Sequence, residues 1–217
     1  MIVNSYKDIL LKNALFSGMS EIELTHSLER LSASLKEYKK GEVIVHREEK
    51  MRSFGLVARG HVQVVSDDIM GNRMIMATVG EGESYGESLC ILEVSQIPVS
   101  VIAVTDCTVV HLSLDNLNGE MDELNMRFLR MLATKTLSMN DRIQVLSKTT
   151  LREKLYTFFS QMCYKTGKRM FTLPFNREDF AIYLGVNRSA LSRELSKLQR
   201  EGIIEFYRGS FKIIGIE

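Results

Sequence analysis

Five side chains in one short run, Arg188, Ser189, Ser192, Arg193 and Lys197, carry the most legible chemistry in the chain. All five donate hydrogen bonds and three are cations. An arginine pairs with guanine through two parallel bonds, while lysine or a helix N-terminus meets phosphate. Such a set grips nucleic acid if one helix presents it near its N-terminal end.

The surrounding residues predict that helix. Asn176 caps a first helix, with Asp179 as its capping partner three residues on. Phe180, Ala181 and Leu184 give it one apolar face, and Gly185 breaks it with the positive φ of a tight turn. Asn187 then caps a second helix whose inner side is Leu191, Leu195 and Leu198. Gly202 is expected to close a third short helical run. Ile203–Tyr207 and Phe211–Ile214 read as strands around Arg208-Gly209-Ser210, a hairpin wing that brings Arg208 and Ser210 beside the groove. Asn176, Arg177 and Asn187 complete the candidate DNA-contacting set, at the two helix starts. The competing reading is a plain helical hairpin with a solvated charged face. Local charge argues against it: from Lys148 onward there are 13 Lys/Arg against 7 Asp/Glu, and before it 15 against 20.

The whole chain has 217 residues, 45% hydrophobic and 25% charged, which suits two domains. Lys7, Asp8 and Lys12 interrupt the apolar N-terminus, so no signal peptide is read there. No run approaches a membrane span, and the expected location is the cytoplasm. Cys90, Cys107 and Cys163 are scattered, as are His26, His46, His61 and His111, so no metal site and no cofactor are expected.

Residues 5–34 read as helical, with Ser20 and Glu23 spaced as a capping box. From Leu35 to about Leu114 the apolar period shortens to two. Strands are expected at 42–45, 53–58, 61–65, 73–78, 99–103 and 108–112, with Gly41, Gly60, Gly71 and Gly82 at turns. Many short strands at this spacing suggest a jelly-roll β-sandwich. Gly82 to Leu92 interrupts it with glycines and a short helical run, which either aims N–H groups at an anion or is a simple connector. Residues 115–147 read as the longest helix, striped by Leu117, Met121, Leu124, Phe128, Leu132, Met139, Ile143 and Leu146. Leu124, Phe128, Leu132, Met139, Ile143 and Leu146 are the candidate dimerisation residues, in a parallel homodimer. Residues 148–170 then read as a helix that opens the last domain. The fold class is therefore α+β: an N-terminal jelly-roll sandwich (1–114), a long dimerisation helix (115–147) and a C-terminal winged helix-turn-helix (148–217).

That order resembles the Crp/Fnr superfamily of bacterial transcription regulators over nearly the whole chain. The carriers are Val57–Val64 (VARGHVQV), Gly82–Glu87 (GESYGE) and Leu184–Arg193 (LGVNRSALSR). In members that bind cyclic nucleotides, the resemblance implies a Gly-Glu pair whose glutamate meets the ribose, and a later Arg-Ser pair that neutralises the phosphate. Gly86 and Glu87 match, but Ile97 and Pro98 stand at the later positions. Cyclic AMP would lack its charge-assisted partner, so the effector is expected to be another small molecule. An N-terminal cysteine cluster for iron–sulfur and a cysteine–histidine pair for haem are absent. Arg188, Ser192 and Arg193 match positions that contact bases in relatives, whereas Ser189 replaces a common glutamate, implying an altered half-site.

The expected protein is a homodimeric regulator reading near-palindromic double-stranded DNA, with RNA polymerase as a further partner implied by the resemblance. The expected effector pocket is Gly86, Glu87, Ser88, Val99 and Ser100, touching the long helix around Leu132 and Asn140. A hinge at 141–150 would reposition the DNA-binding domains. Two alternatives stand beside it: a constitutive regulator whose jelly roll only dimerises, and a metal-dependent cupin-type enzyme. His46, His61 and His111 show no clustering of the kind an enzyme of that sort needs.

Overall fold

The computed structural model describes residues 2–67, 73–116, 122–173 and 176–215. The chain folds as two compact units, Met1–Ala133 and Thr134–Glu217.

The first unit opens with helices α1 (Ile2–Leu10) and α2 (Glu21–Arg30). The Ser20–Glu23 capping box at the start of α2 is formed in both directions. Eight strands follow among the described residues: β1 (Ser34–Tyr38), β2 (Val43–Val45), β3 (Ser53–Arg59), β4 (Val62–Asp67), β5 (Arg73–Val79), β6 (Ser84–Tyr85), β7 (Ser100–Ala103) and β8 (Cys107–Ser113), with the short helix α3 (Glu87–Ile91) after β6. They form two antiparallel four-stranded sheets, ordered β1-β8-β3-β6 and β2-β7-β4-β5. This is the jelly-roll sandwich read from the period-two pattern. The expected strands do not include β1, of which Ser34 alone falls in the expected helical stretch, or the two-residue β6.

Alternation along β3 and β8 explains why both read as nearly continuous apolar runs. Val57 and Val109 face an interior shared with Val62, Val79, Ile97, Val101 and Ala103 of the opposite sheet region. Phe54, Leu56, Ala58, Val110 and Leu112 point the other way, into a second core with Leu24, Leu28, Leu124, Phe128 and Met131. These central strands are therefore buried on both faces.

Helix α4 runs from Glu123 to Leu146. The expected start at 115 is corrected: Asp115 and Asn116 form a turn. Leu117, Met121 and the turn glycine Gly71 lie outside the described residues.

In the second unit, α5 (Leu151–Thr166) begins with a second capping box, Thr150 with Glu153, and stops at Gly167, whose φ is +64°. It does not reach residue 170, because Met170 opens strand β9 (Met170–Thr172). Helices α6 (Arg177–Leu184) and α7 (Arg188–Arg200) follow, then β10 (Ile204–Tyr207) and β11 (Ser210–Ile213). The three strands form one antiparallel sheet, β10-β11-β9, so the wing has a third strand that sequence reading did not supply. The third helical run before Gly202 is also corrected: α7 continues unbroken to Arg200. Phe158, Phe159, Phe180, Leu184, Leu191, Leu195, Leu198 and Phe211 lie in this unit's core.

Candidate nucleic-acid interface

Two asparagine caps set the two helices of the motif. The Asn176 side chain accepts from the backbone N–H groups of Glu178 and Asp179 at 2.8 and 2.9 Å. Asp179 thus supplies its N–H to this cap, satisfying orphan donors of the first turn. The Asn187 side chain accepts from Ala190 N–H at 2.8 Å and from the Ser189 hydroxyl at 2.9 Å. Between them Gly185 takes φ +64°, and a Cβ there would sit 3.3 Å from Leu146 Cδ2. The left-handed backbone favours glycine at this turn, and the neighbouring Leu146 leaves a Cβ little room.

On α7 the inner residues Leu191, Leu195 and Leu198 are fully buried, while Arg188, Ser189, Ser192, Arg193 and Lys197 are all exposed. Ser196, Gln199 and Arg200 are exposed as well and were missed by sequence reading. Among the described residues, Arg188, Arg193 and Lys197 form no ion pair. The carboxylates of this region are occupied elsewhere: Glu194 and the C-cap residue Glu201 are both bound by Arg152 of α5. The outer face of α7 is therefore cationic and hydroxylic.

Arg177 is half-buried at the start of α6. Its guanidinium lies over the rings of Phe206 and Phe211, 5.2 and 5.7 Å from their centroids, and donates to the Arg208 carbonyl at 3.2 Å. Burial, with the nearby charge of Arg188 second, pulls its pKa below the usual arginine value. Two cations thus share a neighbourhood that an anion would relieve. A cleft of about 300 Å³ opens there, lined by Asn176, Arg177, Phe180, Arg208 and Phe211 among others. Arg208 occupies the wing tip at φ +53°, a left-handed position rare for a side-chain-bearing residue, over the Tyr207 ring. The Ser210 and Thr172 hydroxyls are 2.8 Å apart across the sheet.

Comparison with known proteins gives the same two parts in the same order. Residues 35–123 match the cyclic nucleotide-binding domain, and residues 153–217 match the Crp-like helix-turn-helix domain. The chain belongs to the Crp/Fnr family of transcription regulators. Among its relatives, the electron transport regulator A of Shewanella oneidensis is 27% identical over 76% of this chain and 63% of its own length. The fumarate and nitrate reduction regulatory protein of Escherichia coli K12 is 24% identical over 71% of this chain and 60% of its own. The chain's match thus spans less than two thirds of the length of both relatives. The crystal structure of DNR from Pseudomonas aeruginosa shares the fold, with a TM-score of 0.55 and 20% identity over 99% of this chain and 95% of that one.

In this Crp/Fnr chain the expected effector residues are only partly assembled. Gly86, at φ +86°, caps α3; a Cβ there would collide with the Met51 thioether at 2.2 Å. Glu87 is buried and Ser88 exposed. Val99 and Ser100 are half-buried, and the Ser100 hydroxyl accepts from Arg47 N–H at 3.1 Å. Ile97, which the resemblance set at the position of the phosphate arginine, is 1% exposed in the sandwich interior, and Pro98 is exposed. Leu132 packs instead against the helical core with Phe54 and Leu56, and Asn140 is exposed on α4 in the second unit.

The expected dimerisation stripe is divided. Leu124 and Phe128 are already buried within the chain, Phe128 at 2% exposure with its ring 5.7 Å from that of Phe54. They are core residues, because the first turns of α4 close the first unit. Met139 and Ile143 are 65% and 60% exposed, and Leu146 is also exposed. Leu129, not included in the expected stripe, is exposed too.

Proposed function

We propose that this Crp/Fnr regulator is a homodimer that reads a near-palindromic DNA site with one α7 in each half-site. The observation that carries the reading is the exposed cationic face of α7, free of competing carboxylates and flanked by the wing. Arg188, Ser192 and Arg193 address base edges, with Ser189 beside them. Asn176, Arg177, Asn187, Lys197, Arg208 and Ser210 meet the sugar–phosphate backbone. Dimerisation uses Leu132, Met139, Ile143 and Leu146, extended to Leu129; their three-, four- and seven-residue intervals are those of a two-helix seam. Leu124 and Phe128 are left out of it.

We assign the sensory role to Gly86, Glu87, Ser88, Val99 and Ser100, for a small effector other than cyclic AMP. The buried Ile97 supports this, since an apolar side chain there gives a cyclic phosphate no charge to pair with. An effector would act by biasing how α4 pairs with its copy. Selection of bound sequences from random duplex DNA tests the reading. An enriched palindrome supports it; retention of random sequence alone, with and without cell metabolites, would refute it.

A further inference from the structure

Arg152 has no part in the contacts proposed above, yet it donates three side-chain hydrogen bonds to two carboxylates of the second unit. From the second position of α5 its Nε donates to Glu194 Oε1 at 2.7 Å. Its Nη1 and Nη2 donate to Glu201 Oε2 and Oε1 at 2.8 and 2.9 Å. The Glu201 pair is the two-pronged geometry that a lysine's point charge does not reproduce. All three side chains are about one-third exposed or less, so solvent screens the contact less than an open surface pair.

Position gives the contact its meaning. Glu194 and Glu201 are seven residues apart, about two turns, and so share one flank of α7. Holding two points on that flank with one planar group resists both rotation of the helix about its axis and rocking along it. Lys154, two residues after Arg152, donates to the Leu184 carbonyl at the end of α6 at 3.0 Å. The capping box of Thr150 and Glu153 stiffens this same turn. The first turn of α5 is therefore a bracket holding both helices of the motif. Side-chain heads ride about 6 Å from a helix axis, so a rotation of α7 by about 20° would move a base-reading head by about 2 Å. That displacement breaks a hydrogen bond.

We infer that Arg152 is a positioning residue for DNA reading, fixing the rotation of α7 so that Arg188 and Arg193 meet base edges. The inference rests on α7 being the recognition helix. The test compares affinity for the selected duplex with affinity for random duplex, in wild type, R152A, R152K and the triple variant R152A/E194Q/E201Q. R152A is expected to lose discrimination about tenfold, what one misread base pair costs. Removing the two freed carboxylates in the triple variant is expected to restore affinity for random duplex but not discrimination. R152K, which keeps the charge and the fold, is expected to lose discrimination too. Full discrimination in R152K or in the triple variant would overturn the inference, reducing Arg152 to a charge screen. A wild type that does not discriminate would instead remove the reading of α7 on which it rests.

Discussion

At the scale of single residues, the two arginines of α7 and its lysine should behave differently. If the proposed base-edge contacts are made, Arg188→Ala or Arg193→Ala should cost about 1–3 kcal/mol on the selected site, with relaxed selectivity at one position. Titration on matched and mismatched duplexes checks this; equal losses on both would take that arginine off the base-reading list. Lys197→Ala should weaken binding evenly across sequences and lower the slope of log affinity against log salt by about 1. An unchanged slope would mean that Lys197 meets no phosphate. The caps, the turn glycine and the donor face were legible because each is a local matter of residue type and spacing. Arg152 was not, since its partners lie 42 and 49 residues away and no local pattern announces them.

Among the elements, the sandwich strands were legible wherever one face differs from the other, and β3 and β8 through their apolar runs. β1 was not: four of its five residues are exposed, so its SLKEY run has no apolar alternation to mark it as a strand. The wing's third strand, three residues long, shows only through its pairing with β11. One pairing in the sandwich carries a pH dependence. The Tyr38 hydroxyl and His111 Nε2 are 2.8 Å apart between β1 and β8, and burial lowers the pKa of His111 below its ordinary value of 6.5. A lowered histidine pKa means that protons favour the unfolded chain. Stability is thus fully present above about pH 6.5 and declines as pH falls through the folded value. Thermal unfolding of wild type should lose stability between about pH 7 and 5 more steeply than that of His111→Gln. Parallel pH profiles would show that His111 does not contribute.

The whole molecule depends on which part of α4 faces its own chain. Phe128→Ala should destabilise the first unit by about 3–5 kcal/mol, as loss of a buried aromatic ring does, seen in its unfolding transition. Ile143→Glu, at an exposed position, should leave that transition in place and shift sedimentation from dimer to monomer. An unchanged mass would place the seam elsewhere. The sequence stripe does not part the buried residues from the proposed seam, because packing on the chain's own domain and packing on a copy call for apolar residues at the same spacings. Only burial separates them.

If two copies of α7 read one site, the spacing between half-sites is fixed by DNA geometry at about one helical turn. The direct test is affinity for the selected palindrome against the same palindrome with about half a turn, roughly five base pairs, inserted at its centre. The account predicts that the insertion lowers affinity to that of a single half-site, because the second half-site is carried to the opposite face of the duplex. Affinity that ignores the insertion would contradict a paired reader and leave α7 acting one copy at a time.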